Sequence, residues 1–256
     1  MKALESSEPA LGLWLSLASA YSAEILAESA LDWLLIDGEH APNEVTTVLA
    51  QLQAMRGCAA DVVVRVPCDE PWVIKRFLDI GVRNLMVPMI DTPEQAAELV
   101  RSVRYPTAGK RGVATSTSRA SRFGRERDYL AKADEGIFVI AQIETPLAVS
   151  NLRGIVGTDG IDAVFIGPSD LSANMGQLGR VAAPQVQDSI RHCLAECRRM
   201  NVPAGIIAGT PTEAAIYVGL GAQFVAIGSD ISLLAAGADS IVTEGRAAVH
   251  RALADG

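Results

Sequence analysis

The sequence predicts an α/β protein built as a single (β/α)8, or TIM, barrel over residues 1–256. Three observations carry that expectation. Short runs rich in Val, Ile and Leu recur eight times and alternate with helix-like segments, the pattern of parallel strands covered on both faces. No Pro/Ser-rich linker divides the chain, and about 250 residues is the ordinary size of one such barrel. Several runs end abruptly in charged groups: Leu34-Leu35-Ile36-Asp37-Gly38-Glu39-His40, Phe138-Val139-Ile140-Ala141-Gln142-Ile143-Glu144 and Val164-Phe165-Ile166-Gly167-Pro168-Ser169-Asp170. Chemistry gathered where parallel strands end is the arrangement of α/β enzymes. An open doubly wound sheet has less support, because no G-x-G-x-x-G follows the first strand.

The elements are expected in this order. Strand one covers about Leu11–Leu17, with a helix over Ala23–Glu28. Strand two covers Trp33–Asp37, and its helix, from Pro42 to about Met55, opens on a proline suited to a first turn. Strand three is Asp61–Val66; the helix Pro71–Ile80 stops at Gly81. Strand four is Asn84–Met89, and Thr92 is the expected N-cap of the next helix, ahead of Pro93 and Glu94. A long connection from Tyr105 to about Glu126 is read as functional or disordered. Strands five and six are Ile137–Ile143 and Ile161–Ile166, and Leu171–Gly179 is read as a loop. The longest helix is Pro184–Met200. Strand seven is Pro203–Ala208, Thr210-Pro211 opens a helix, strand eight is Gln223–Ile227, and the last helix covers about Ala238–Leu253.

A hydrophobic content of 49% in 256 residues is enough for a large core. The net charge of −8 argues against a nucleic-acid binder, which would show a basic face. No run approaches the roughly 18 apolar residues of a membrane span, and the polar start with Glu5 and Glu8 does not read as a secretory signal. The cysteines, Cys58, Cys68, Cys193 and Cys197, show no C-x-x-C spacing. A cytoplasmic protein with free thiols is expected.

Side chains along a barrel strand alternate between the interior and the helix layer. Gln142 and Glu144, two apart, therefore point the same way at the end of strand five. Asp170 follows the neighbouring strand. Two carboxylates from adjacent strand ends suit a divalent cation that keeps water or substrate oxygens, such as Mg²⁺ or Mn²⁺. The plainer alternative makes Glu144 an acid at a helix start, before Pro146. His40 is the one histidine that follows a strand; His192 and His250 fall in helices. Asp37 and Glu39 beside it make an acid–base role credible, against a plain surface role. Arg65 stands inside an apolar strand and must meet an anion there, either a structural carboxylate or a substrate carboxylate or enolate. The Gly167–Ser172 turn offers backbone N–H groups to a carboxylate or phosphate. Gly228-Ser229-Asp230 is a poor phosphate site, since its Asp repels one.

None of Lys2, Lys75, Lys110 and Lys132 lies on a strand, which argues against Schiff-base catalysis. Zinc at His192, Cys193 and Cys197 is the weaker reading of an amphipathic helix.

The strings LLIDGEHAPN (34–43), VPMIDTPEQA (87–96), RYPTAGKRGVA (104–114), QIETPLA (142–148) and FIGPSDLSANMG (165–176) resemble the HpcH/HpaI group of class II, metal-dependent pyruvate aldolases. The resemblance runs from about Gly12 to the last helix. It implies a homohexamer of (β/α)8 barrels with the last helix exchanged between subunits. It implies His40 as general base, Arg65 as stabiliser of the transition state, Gln142 in contact with pyruvate, and Glu144 and Asp170 as ligands of Mg²⁺, Mn²⁺ or Co²⁺. The backbone at Ser169 and Asp170 would receive the pyruvate carboxylate. Asp79, which reads by itself as a solvated helix residue, would raise the basicity of the active-site histidine across a subunit contact. Relatives often carry Ala at the position of Ser169, which leaves a backbone contact intact; Cys68-Asp69-Glu70 also departs from the pattern.

The implied reaction is reversible cleavage of a 4-hydroxy-2-oxo acid to pyruvate and an aldehyde, in aromatic catabolism where the substrate is 4-hydroxy-2-oxoheptanedioate and the aldehyde succinate semialdehyde. Arg119, Arg122, Arg125 and Arg127 of the long loop are candidates for a distal carboxylate, or else a solvated or interfacial cluster. Alternatives are cleavage of 2-dehydro-3-deoxy sugar acids, oxaloacetate decarboxylation through the same enolate, phosphoryl transfer on a phosphoenolpyruvate-like ligand, and an inert binding module.

Overall fold

The structure is a computed structural model that describes residues 1–6 and 8–254. Eight parallel strands close into a barrel in sequence order: β1 (Ala10–Leu15), β2 (Trp33–Asp37), β3 (Asp61–Arg65), β4 (Asn84–Val87), β5 (Phe138–Ile143), β6 (Ala163–Ile166), β7 (Ala204–Ile207) and β8 (Phe224–Ser229), with β8 pairing back onto β1. The helices are α1 (Ala20–Ala27), α2 (Val45–Ala54), α3 (Pro71–Asp79), α4 (Pro93–Val103), α5 (Tyr129–Lys132), α6 (Pro146–Val156), α7 (Pro168–Asn174), α8 (Pro184–Met200), α9 (Pro211–Leu220) and α10 (Asp230–Ala254). The expected barrel is therefore present. No helix among the described residues is long and apolar enough to cross a membrane.

The two-residue period sorts each strand into two cores. One face of the strands packs on the helices, with residues such as Leu34, Ile36, Val64 and Ile143. The other fills the barrel with Trp14, Trp33, Leu35, Val63, Met86, Ile140, Phe165 and Phe224. Trp33 meets Phe165 and Phe224 edge-on, at centroid distances of 6.1 and 5.7 Å, which suits the ring quadrupoles. The large rings fit because small residues face them: a Cβ on Gly12 would lie 2.1 Å from the Trp33 ring.

Four local expectations change. Residues 171–174 are helical, not loop, because α7 opens with Pro168 at its first position and closes on Met175. The last helix begins at Asp230, well before Ala238, because Ser229 and Ser232 cap it reciprocally: each backbone N–H donates to the other's hydroxyl, at 3.0 and 3.1 Å. The second helix starts at Val45 rather than Pro42, because the Asn43 side chain is committed to the chain behind it, donating to the Asp37 carbonyl at 2.8 Å. A helix that the sequence reading places only as a start near Pro146, α6, runs Pro146–Val156 and is capped by Thr145, whose Oγ1 accepts from the Ala148 N–H.

The long segment between α4 and α5 forms turns and no regular element. It docks beneath α3: the Ala120 N–H donates to the Asp79 carbonyl and Arg119 Nη1 to the Ile80 carbonyl. The helix α10 behaves differently from the others. Every residue from Ile231 to Ala254 is exposed, although Ile231, Leu234, Ile241, Val242, Val249 and Leu253 are apolar.

Candidate active site at the mouth of the barrel

The interior face that carries aromatic and aliphatic groups low in the barrel turns polar at its upper end. On β2 the inward series is Trp33, Leu35, Asp37; on β3 it is Val63, Arg65; on β5 it is Ile140, Gln142, and Glu144 just beyond. The strand register pairs Asp37 with Arg65. The two therefore meet side by side: Arg65 Nε donates to Asp37 Oδ1 and Nη2 to Oδ2, both at 2.9 Å. Arg65 Nη1 forms an ion pair with Glu39 Oε2 at 2.7 Å. The guanidinium stacks 4.3 Å from the centre of the Trp14 ring. Arg65 thus keeps two of its five N–H donors for something else. The first sequence reading of Arg65, a buried structural pair, is realised, and the residue stands at the upper end of the barrel interior.

Glu144 is buried, at 1% exposure. Its Oε1 accepts from Gln142 Nε2 at 2.7 Å, and its Oε2 from the Met89 backbone N–H at 3.1 Å. Met89 reaches it from a left-handed backbone, φ 57°, an uncommon state for a side-chain-bearing residue that concentrates at functional sites. Asn174 Nδ2 donates to the Glu144 carbonyl, tying α7 to the end of β5. Burial pushes the Glu144 carboxyl up to about 8, with the charges of Glu39 and Asp170 adding to the effect. Burial likewise raises Glu39, against the pull of Arg65. Glu39 and Glu144 both feel the charge of Asp170 at the mouth. Gln142 Oε1 and Trp14 Nε1 are buried there without a protein partner among the described residues, a state that native structures rarely leave unfilled.

Asp170 and Ser169 sit in the first turn of α7; Ser169 is exposed and Asp170 half-buried. Their backbone N–H groups precede the first intrahelical bond, from the Leu171 N–H to the Gly167 carbonyl. His40 projects from the segment after β2 and is exposed, with Nε2 3.9 Å from Glu39 Oε2. Asp37 does not orient its ring: the carboxylate is spent on Arg65 and on the backbone N–H groups of Glu39 and His40. Asp79 is placed elsewhere. It ends α3, at the rim where strands begin, and pairs with Arg111 Nη2 at 3.0 Å. It is not the freely solvated residue that sequence alone suggests.

Sequence reading missed four contributors. Trp14 had no signal beyond being an aromatic in strand one. Glu39 was read only as a partner for His40, not for Arg65. The Met89 N–H, like any backbone group, leaves no mark in side-chain patterns. Gly167 is placed by the sequence in a backbone-binding turn, but its close approach to Glu144, where a Cβ would lie 2.2 Å from Oε1, leaves no mark there. The low ranking of a phosphate at Gly228–Asp230 stands on firmer ground: the buried Asp230 carboxylate accepts from the Ser16 and Leu17 N–H groups and joins β1 to α10. Zinc at the cysteine pair is overturned, since Cys193 and Cys197 are core residues whose thiols burial pushes up to about 12, while His192 is exposed. The loop arginines Arg119, Arg122 and Arg125 line the base of this barrel rather than its mouth.

The model of the HpcH/HpaI aldolase/citrate lyase family matches residues 10–250. A 4-hydroxy-2-oxo-heptane-1,7-dioate aldolase of Salmonella dublin is 48% identical over 239 residues, 93% of this chain and 91% of the relative. A 5-keto-4-deoxy-D-glucarate aldolase of Salmonella arizonae is 46% identical over 239 residues, 93% of each chain. The crystal structure of an HpcH/HpaI aldolase/citrate lyase family protein from Burkholderia cenocepacia superposes with a TM-score of 0.92 at 41% identity, covering 96% of this chain and 97% of that one. With a barrel whose inward residues turn acidic at one rim and a family match over nearly its whole length, the chain belongs to the HpcH/HpaI aldolase/citrate lyase family.

Proposed function

We propose that this chain catalyses the reversible, divalent-metal-dependent cleavage of a 4-hydroxy-2-oxo acid to pyruvate and an aldehyde. The observation that carries the reading is the Glu144 carboxylate, 1% exposed at the mouth beside Gln142 and set among the opposing charges of Glu39 and Asp170. A cation between the acids would remove that opposition, so the residues fit a metal. No cluster of three His, Cys, Asp or Glu groups converges among the described residues. Glu144 and Asp170 would hold the ion as a two-carboxylate set, the remaining positions falling to water and substrate oxygens, as suits Mg²⁺, Mn²⁺ or Co²⁺. When bound, the dication would polarise the 2-oxo group as a Lewis acid.

The protein groups divide the remaining work. The first-turn N–H groups of Ser169 and Asp170 receive the substrate carboxylate. Gln142 turns its amide toward the bound oxo acid. His40 takes the proton of the C4 hydroxyl as the C3–C4 bond breaks and the aldehyde forms. The electron pair of that bond passes into the C2–C3 enolate, whose oxygen lies within the field of Arg65. Protonation at C3 completes pyruvate. In the synthetic direction the proton on His40 returns to the new hydroxyl.

Relatives named for 4-hydroxy-2-oxo-heptane-1,7-dioate and for 5-keto-4-deoxy-D-glucarate stand at nearly equal identity. We favour 4-hydroxy-2-oxoheptanedioate, giving succinate semialdehyde; a sugar-acid substrate is the second reading. The apolar stripe of α10, uncovered by any described residue, supports a homo-oligomer, which we read as a hexamer, with Asp79 acting on the His40 of another copy. Four free thiols suit the cytoplasm. The test is coupled pyruvate release from a panel of 4-hydroxy-2-oxo acids, including both candidates, in chelated protein with and without Mg²⁺, Mn²⁺ or Co²⁺. Metal-restored pyruvate release is expected; full activity after chelation, or no pyruvate from any member, would refute the proposal.

A further inference from the structure

A cavity of about 810 Å³ opens at the base of the barrel, beside the end of α3, the start of β4 and the turns of the long segment. We propose that it is a second ligand site, taking a small multivalent anion with two or more carboxylate or phosphate groups.

The charge on its walls is one-sided. Arg56, Arg83, Arg111, Arg119, Arg122 and Arg125 line it together with Lys132, against Glu126 and Glu135. Of these arginines only Arg111 is paired with a carboxylate among the described residues. Crowding is already felt by Arg119, whose guanidinium is pushed down by burial first and by Arg56 second. A chain with net charge −8 has no general surplus of cations to scatter here.

Arg111 gives the site a built interior. Its side chain is 1% exposed, donates to Asp79 and to the Tyr129 hydroxyl, and lies 4.5 Å over the Tyr105 ring. Its Nε is buried with no partner among the described residues. An oriented guanidinium with an unused N–H is suited to carboxylate and phosphate oxygens. The volume falls in the range of about 300–1,000 Å³ usual for small-molecule sites. The cavity lies at the rim where the strands begin, so within one chain its ligand is distinct from the substrate at the mouth.

Calorimetry on chelated, substrate-free protein tests this independently of the aldolase reading. Inorganic phosphate and citrate are titrated separately, with acetate at matched ionic strength as control. Saturable binding of one equivalent of phosphate or citrate per chain is expected, and none of acetate; which probe binds distinguishes the phosphate from the polycarboxylate class. Arg56→Gln/Arg122→Gln, both exposed positions, should weaken binding by about tenfold or more, as should Arg83→Gln/Arg125→Gln. Glu144→Gln should leave it unchanged. No saturable binding of either probe, as when a neighbouring copy fills the cavity, would overturn the proposal. So would binding that survives both arginine pairs or disappears with Glu144→Gln.

Discussion

Gly167 stands directly against Glu144: a Cβ at this position would lie 2.2 Å from Glu144 Oε1 and 2.8 Å from its Cγ. The contact follows from register, because β5 and β6 pair Ile143 with Ile166 and the next residue of each strand turns inward together. Gly167→Ala should therefore displace the carboxylate while leaving the barrel closed. A misplacement near 1 Å at a reacting centre lowers turnover by about 10²-fold. Pyruvate release at saturating Mn²⁺ is the measurement, and near-normal turnover would show that the carboxylate position is not critical.

Glu144 makes stability depend on pH. Its carboxyl rises from an ordinary 4.5 to about 8 in the fold. A carboxyl raised by folding binds its proton more tightly in the native state, so the contribution of Glu144 to stability is fully present below about pH 4.5 and is lost as pH rises through about 8. Glu144→Gln removes the titration. In chelated protein its advantage over the native chain should grow between pH 5 and 8 to about a few kcal/mol. Urea denaturation across that range checks it, and parallel pH curves for the two proteins would contradict it. Added Mg²⁺ should stabilise only the native chain at pH 8.

The barrel was legible because its strands are apolar on both faces and its helices open with Pro, Thr or Ser. Gln142 and Glu144 were legible as same-facing neighbours because a period of two needs no long-range information. Asp37 and Arg65 could each be flagged, but not their pairing, since register between β2 and β3 is set by the closure of the whole barrel. The Met89 N–H was invisible for a different reason: its direction depends on a left-handed backbone that no glycine announces. The base cavity was equally hidden, because Arg56, Arg83 and the loop arginines come together only when the long segment folds under α3.

Arg65→Lys separates charge from shape. Lysine keeps the positive charge but cannot span both Asp37 oxygens and Glu39 at once. Loss of an oriented donor at a developing oxyanion lowers kcat by about 10²–10³-fold. Arg65→Ala should in addition destabilise the fold by about 3–5 kcal/mol, because Asp37 is left buried and unpaired. Steady-state kinetics and denaturation of both variants distinguish the effects; a lysine variant with native kcat would confine Arg65 to a structural role.

His40→Ala should do the opposite. The ring is 63% exposed and contributes no core packing, so the melting temperature should hardly move. Aldol cleavage should fall by about 10²-fold or more, the usual scale for a lost acid–base group. Enolate formation from pyruvate, read as deuterium exchange at its methyl group, should fall less, because that step does not require proton removal from C4. Equal losses in cleavage and exchange would place the His40 effect before bond breaking.

The last helix makes a prediction about assembly. Ile231, Leu234, Ile241, Val242, Val249 and Leu253 follow one another at intervals of three, seven, one, seven and four residues, which gathers them into one stripe on α10. Most helices draw their stability in water from packing such a stripe, and here no described residue covers it. A second copy is the partner that every molecule of this protein has at hand. Leu234→Asp/Ile241→Asp should therefore shift the protein to smaller species while leaving the barrel folded, since Asp230 is the one buried residue of α10. Sedimentation velocity with far-ultraviolet dichroism measures both properties together. An unchanged size distribution would mean that the stripe is not the contact between copies. A shift in size accompanied by loss of pyruvate release would mean that the mouth is completed only in the assembly, as expected if Asp79 of one copy serves the His40 of another.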